Sequence, residues 1–181
     1  MDIVGSSVAA AIPTVGFLMG EWIGLKMSTS SWFNDLYHPP WATQKFRNVL
    51  IPVWGVANGM MGFLSYTVWD LTRTGNAIVP MTSYAFLLLL FWIHYPIYQF
   101  SQSLKCGLVT VILAMMAAVS TFVLFSQVTM LTIPYMILFK ILLAHEVYYS
   151  FWLFKHNSSE REPPVSITPT APSPSKDSKL H

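Results

Sequence analysis

Charge is what this chain has least of. Only 10% of its 181 residues are Asp, Glu, Lys or Arg, where a water-soluble domain carries about 25%. So few charges cannot cover a solvated surface. With 54% hydrophobic residues and a mean hydropathy of +0.50, the chain reads as a membrane protein. Cysteine is almost missing as well. The single Cys106 excludes an intrachain disulfide framework and gives no argument for an oxidising compartment. A net charge of +2 is too small to attract nucleic acid. The first apolar segment has no basic residues ahead of it, Asp2 being the one early charge, so it reads as a retained span and not as a cleaved signal. Neither a metal site nor a cofactor is expected.

What is present is length in apolar runs. Five of them, near 4–25, 49–69, 78–100, 106–128 and 133–154, have the roughly 20 residues that cross a bilayer. The expectation is an all-α membrane protein: a five-helix transmembrane bundle in residues 1–155 and a disordered Ser/Pro-rich tail in 156–181. Gly16, Gly20 and Gly24 in the first run, and Gly55, Gly59 and Gly62 in the second, put small residues on one side of a helix. Such stripes favour close helix contact, within the chain or in a homodimer. Pro52 falls in a first helical turn, where its missing N–H costs least, while Pro96 interrupts the third run and frees a backbone carbonyl. Lys26, Lys45, Arg47, Lys105, Lys155 and Arg161 share one side of the membrane, against Arg73 on the other. That bias places the C-terminus in the cytosol.

Polar residues inside the runs are costly and therefore candidates for function: Glu21, His94, Lys140, His145 and Glu146. Each has a plainer reading. Glu21 sits solvated at the interface, His94 is hydrogen-bonded inside the bundle, Lys140 snorkels, and His145 and Glu146 pair with each other or with a neighbouring helix. For His94 the sharper readings are a tetrapyrrole ligand or a proton carrier. Tyr135, Leu138, Leu142, Glu146 and Tyr149 recur at helical steps and form one stripe. An intramembrane enzyme would use Glu21, His94, His145 and Glu146 as acid–base groups, which requires two of them to converge within hydrogen-bond reach in one pocket. Val147, Tyr149 and Lys155 also satisfy a loose sterol-contact pattern.

Three stretches carry more specific information: WFNDLYHPPWATQ from Trp32, IPVWG from Ile51 and MGFLSYTVW from Met61. In this order they resemble the translocator protein family, also called TspO/MBR, tryptophan-rich sensory protein or peripheral benzodiazepine receptor. The chain departs from the pattern where Ala42, Thr43 and Gln44 replace a second proline pair, at Asn58, and at FWIHYPI in the third run. It is a divergent member. The resemblance implies five helices around a cavity, with the first loop as a lid, in the outer mitochondrial membrane. It implies porphyrins and benzodiazepine-site ligands in that cavity, sterol (cholesterol) against the fifth helix, and a role in sterol or tetrapyrrole transport or sensing. By the same resemblance the cavity is made by Leu50, Ile51, Val53, Trp54, Trp92 and Pro96. Glu21, His94, Cys106 and Leu138 occupy family ligand positions with changed chemistry. Sterol contact falls to Val147, Tyr149, Trp152 and Lys155. Lost aromatics predict weaker binding of planar ligands and argue against the porphyrin degradation proposed for some relatives, so an enzyme is not expected. A structural protein with a vestigial cavity and glycine-driven oligomers is the remaining alternative.

Overall fold

Apolar runs in hydrocarbon have no water to satisfy their backbone groups, so each must close its own hydrogen bonds by becoming a helix. A computed structural model describes residues 2–27, 31–72 and 76–157, without the side chains of 23–31, 95 and 99. The elements are α1 (Ile3–Met27), α2 (Ser31–Asn34), α3 (Gln44–Leu71), α4 (Ile78–Ser101), α5 (Leu104–Val128) and α6 (Thr132–Asn157), with no strand among the described residues. All except α2 are long and apolar enough to cross a membrane. The expected five-helix all-α architecture is the one observed.

Local chemistry sets the helix ends. α3 begins ahead of its apolar run because the Thr43 hydroxyl accepts from the Phe46 N–H at 3.3 Å and caps the polar turn that carries Arg47. Ser103 caps α5 in the same way, accepting from the Cys106 N–H at 3.3 Å. α4 closes at Gln102 in the left-handed conformation (φ 48°). α6 runs on through His156 and Asn157, which the sequence reading had given to the tail. The rest of that tail, with Arg161, lies outside the described residues, as does Arg73 of the short turn.

The long helices close a ring in the order α1, α3, α6, α5, α4. The glycine stripes are used inside this ring. Gly62 lies against the Ala9 and Ala10 backbone and the Pro13 ring, Gly59 against the Thr14 hydroxyl, and Gly16 against the Trp92 indole. Thr14 Oγ1 adds a contact of 3.3 Å to the Gly55 carbonyl oxygen. Gly20 and Gly55 face open space, and Gly24 falls among the side-chain positions not described. The core runs along the ring's inner face, through Met61, Leu64, Leu87, Ala118, Phe125 and Leu143. Lys140 places its ammonium 3.4 Å from the centre of the Phe122 ring on α5, a cation–π contact that replaces some of the solvation the span removes.

Candidate functional site

The site grows from helical periodicity. Phe17 on α1, Trp54 on α3, Phe91 on α4 and Phe139 on α6 meet at the centre of the ring. Trp54 and Phe91 have ring centres 5.0 Å apart, Trp54 and Phe139 5.6 Å, and Phe17 and Phe91 6.0 Å. One or two helical turns from each ring, on the same face and toward the α1–α3 loop, stands a polar side chain. Glu21 follows Phe17, Arg47 precedes Trp54, His94 follows Phe91 and Glu146 follows Phe139. The outcome is an aromatic floor beneath a polar rim.

Within the rim, Arg47 Nη2 lies 3.4 Å from Glu21 Oε2, and His94 Nε2 lies 3.9 Å from Glu146 Oε1. Glu21 is only 6% exposed, so it faces protein and not the solvated interface. Burying a carboxylate is tolerable here because a guanidinium, itself partly solvated, stands beside it.

The loop after α1 roofs this rim and is tied to two walls. His38 Nε2 meets the Phe33 carbonyl oxygen at 3.0 Å and must donate to it, which leaves Nδ1 to accept from the Tyr149 hydroxyl at 3.1 Å. The Tyr37 N–H donates to Asn157 Oδ1 (2.8 Å), and Asn157 Nδ2 donates back to the Tyr37 carbonyl oxygen (3.0 Å). Trp41 lies on α6 with its ring centre 6.0 Å from that of Tyr148 and 5.3 Å from that of His145. Toward α4, the Trp32 and Phe33 rings contact Tyr98.

Under the roof is a cavity of about 50 Å³, lined by Phe17, Glu21, Arg47, Leu50, Ile51, Trp54, Phe91, His94 and Glu146. Occupied ligand sites measure about 300–1,000 Å³, so this one is closed down to the room a few waters need. A second cavity of about 90 Å³ lies between α3 and α6, lined by Trp41, Ala42, Thr43, Phe46, Arg47, Leu50, His145, Glu146 and Tyr149. Arg47, Leu50 and Glu146 border both.

Five of the expected cavity residues line it: Glu21, Leu50, Ile51, Trp54 and His94. Val53, Trp92, Pro96, Cys106 and Leu138 do not. Val53 packs into the neighbouring core, and Trp92 is spent on Gly16. Cys106 is exposed at the start of α5, a helix that contributes nothing to this lining. Leu138 is 36% exposed because Phe139, one residue and about 100° further round α6, is the side chain that meets Trp54. Of the acid–base candidates, Glu21, His94 and Glu146 share the inner cavity, while His145 stands in the second one. The sterol-pattern residues do not share a face. Val147 packs against the core, Tyr149 and Trp152 sit against the loop, and Lys155 is exposed.

Sequence reasoning missed Phe17, Phe91 and the cavity role of Arg47. Phe91 departs from the family pattern, yet a Phe three residues before His94 marks the same helix face. The spacing Phe17–Glu21 carried the same signal.

The five-helix ring, the roofing loop with its HPPW turn and the aromatic cavity occur in a sequence whose residues 8–153 match the TspO/MBR family model. The chain belongs to the TspO/MBR family. It is 31% identical over 127 residues to the translocator protein of Homo sapiens, covering 65% of this chain and 74% of that protein. Against the translocator protein of Bos taurus the identity is 28% over the same length. The match to the Sus scrofa translocator protein is longer, 159 residues at 26% identity, covering 83% of this chain and 93% of the other. This family member is a multi-pass, translocator-type membrane protein.

Proposed function

We propose that this family member binds flat, apolar ligands of the porphyrin-like or benzodiazepine-site class in the roofed cavity, without converting them, and passes on or senses what it binds. Cholesterol contacts it at α6. The observation that carries the reading is an aromatic floor under a polar rim in one enclosed space. Trp54, Phe91 and Phe17 line it and offer stacking surface worth about 0.5–1.5 kcal/mol per ring pair beyond area burial. Glu21, Arg47, His94 and Glu146 offer the few convergent polar groups that orient a ligand's polar edge. Because the closed cavity holds about 50 Å³, a porphyrin-sized ligand binds an opened form and shifts the population toward it.

The test is tryptophan-fluorescence quenching of the purified protein by protoporphyrin IX. Saturable quenching that weakens in Trp54→Ala is expected. Quenching that is absent or non-saturable while the protein is folded refutes the reading. The inferred orientation, with the C-terminus cytosolic on the outer mitochondrial membrane, rests on the basic-residue bias and on the family. Protease added to intact organelles should then remove a C-terminal tag.

One observation favours a second reading, an intramembrane enzyme. His94 and Glu146 approach to 3.9 Å in the same cavity as Glu21. That distance is longer than a hydrogen bond, so the pair as it stands is not a proton-transfer path. Mass spectrometry of porphyrin incubated with the protein decides between the two. A product whose formation is lost in both His94→Gln and Glu146→Gln would put the enzyme first.

A further inference from the structure

Among the described residues, the basic side chains keep to the helix ends with one exception. Lys45, Arg47, Lys105 and Lys155 stand in the first or last turn of α3, α5 or α6. Lys140 instead stands about two turns inside α6, which starts at Thr132. Its ammonium lies over the Phe122 ring of α5, and that ring face replaces only part of the hydration lost in the span. A ring brings no negative charge, and an ammonium has three N–H donors to satisfy. No carboxylate among the described residues stands within ion-pair distance of Lys140, and no acceptor within hydrogen-bond distance. An uncompensated cation at this depth is costly, so its counter-charge is to be sought outside the chain.

Depth narrows the class of partner. α5 has 25 residues and a length of about 37 Å, which overhangs a hydrocarbon core of about 30 Å by roughly 4 Å at each end. The ammonium is level with Phe122, about 9 Å from the end of α5 at Val128, so it lies about 5 Å inside the hydrocarbon edge. A helical side chain leans toward the N-terminus of its helix, which for α6 is this near edge, so Lys140 is aimed at the headgroups. The surface around it is apolar: Val119 and Val123 are exposed beside Phe122, and Ile137 and Ile141 beside Lys140. A carboxylate on another protein's helix would also answer the charge, but these four side chains offer no second polar contact to fix such a helix. An acyl chain needs none.

We propose that the outer groove between α5 and α6 is a binding site for a net-anionic phospholipid, with Lys140 as the group that takes its phosphate. An acyl chain lies along Val119, Val123, Ile137 and Ile141. The site is in the half of the bundle away from the roofing loop, and it depends neither on the roofed cavity's taking a ligand nor on sterol contact at the other end of α6. A zwitterionic headgroup suits it less, because its own ammonium already offsets the phosphate.

The experiment measures, by native mass spectrometry of the full chain in detergent, the affinity for the first bound dioleoylphosphatidylglycerol and, separately, dioleoylphosphatidylcholine. The glycerol lipid is expected to bind about fivefold more tightly, the worth of one lysine near a headgroup. Lys140→Met should lower its affinity by about the same factor and leave that of the choline lipid unchanged. Lys140→Arg, which keeps the charge, should keep the preference and guards against a folding artefact. Lys105→Met removes a cation at the opposite end of α5 and should bind both lipids as the parent does. If the two lipids bind alike in the parent, the proposal is wrong and the counter-charge of Lys140 is a carboxylate of another chain, if it has one. It is equally wrong if the preference survives Lys140→Met, if Lys140→Arg loses it, or if Lys105→Met loses as much as Lys140→Met.

Discussion

Replacing Gly62 with alanine should loosen the bundle, although alanine is the better helix former. A methyl group at Gly62 would land on the Ala9 carbonyl oxygen, 2.7 Å from the Pro13 ring and 2.8 Å from Ala10 Cα. Two of those three neighbours are backbone, so the collision cannot be relieved by a rotamer change and α1 must move away from α3. Overpacking of this kind costs about 1–3 kcal/mol, and the backbone obstacle puts it at the upper end. Gly55, two turns earlier on the same helix, has nothing within 4 Å of the corresponding position. There alanine should gain about 0.5–1 kcal/mol by propensity alone. The two variants therefore differ in sign. Followed by circular dichroism at 222 nm in one detergent, the gap should reach roughly 4–12 °C in Tm for a chain of this size. Equal melting temperatures for Gly62→Ala and Gly55→Ala would refute the close α1–α3 crossing.

Other perturbations address the rim, the roof and the membrane face. Arg47→Ala leaves the buried Glu21 uncompensated and should cost about 1–3 kcal/mol, discounted for the exposure of Arg47; adding Glu21→Gln should recover most of it in detergent unfolding. Tyr149→Phe removes the hydroxyl that His38 accepts from, so hydrogen exchange at residues 36–43 should speed up about fivefold while exchange in the core of α5 is unchanged. Phe91→Ala should lower stability by about 3–5 kcal/mol yet enlarge the inner cavity, and a smaller planar ligand should then quench Trp54 more strongly than in the parent. Lys140→Met removes a charge held in the span by one aromatic face, and the midpoint of unfolding in SDS should rise or stay level; a clear fall would mean Lys140 has a structural partner beyond Phe122.

Much of the fold was legible because span length and hydropathy are properties of each segment on its own. The five runs needed no partner to be recognised, and their helices extend them by a few residues at polar caps such as Thr43. The site was less legible because it depends on the phase of one helix against another. Trp54 was found from the IPVWG stretch, yet Leu138 was expected where Phe139 points, an offset of one residue that turns a side chain about 100°. Arg47 was read as one more basic residue on a loop, since nothing near it in sequence reveals that Glu21, 26 positions earlier, is its neighbour in space. The pairing of Asn157 with the Tyr37 backbone spans 120 positions and had no local signal at all.

The ring order has a mechanical consequence. α1 packs most extensively on α3, and α4, α5 and α6 pack on one another in sequence, whereas the joins α1–α4 and α3–α6 are slighter. The protein is thus a shell of two pieces. Both cavities lie on the seam between them: Phe17, Glu21, Arg47, Leu50 and Trp54 belong to one piece, and Phe91, His94, His145 and Glu146 to the other. Were one piece to rock against the other, the space under the loop would widen while each kept its own packing, and two thin joins with the loop's ties to α4 and α6 would resist it. The glycines that lock α1 to α3 hold that piece together, so any such movement would fall on the seam and not within it.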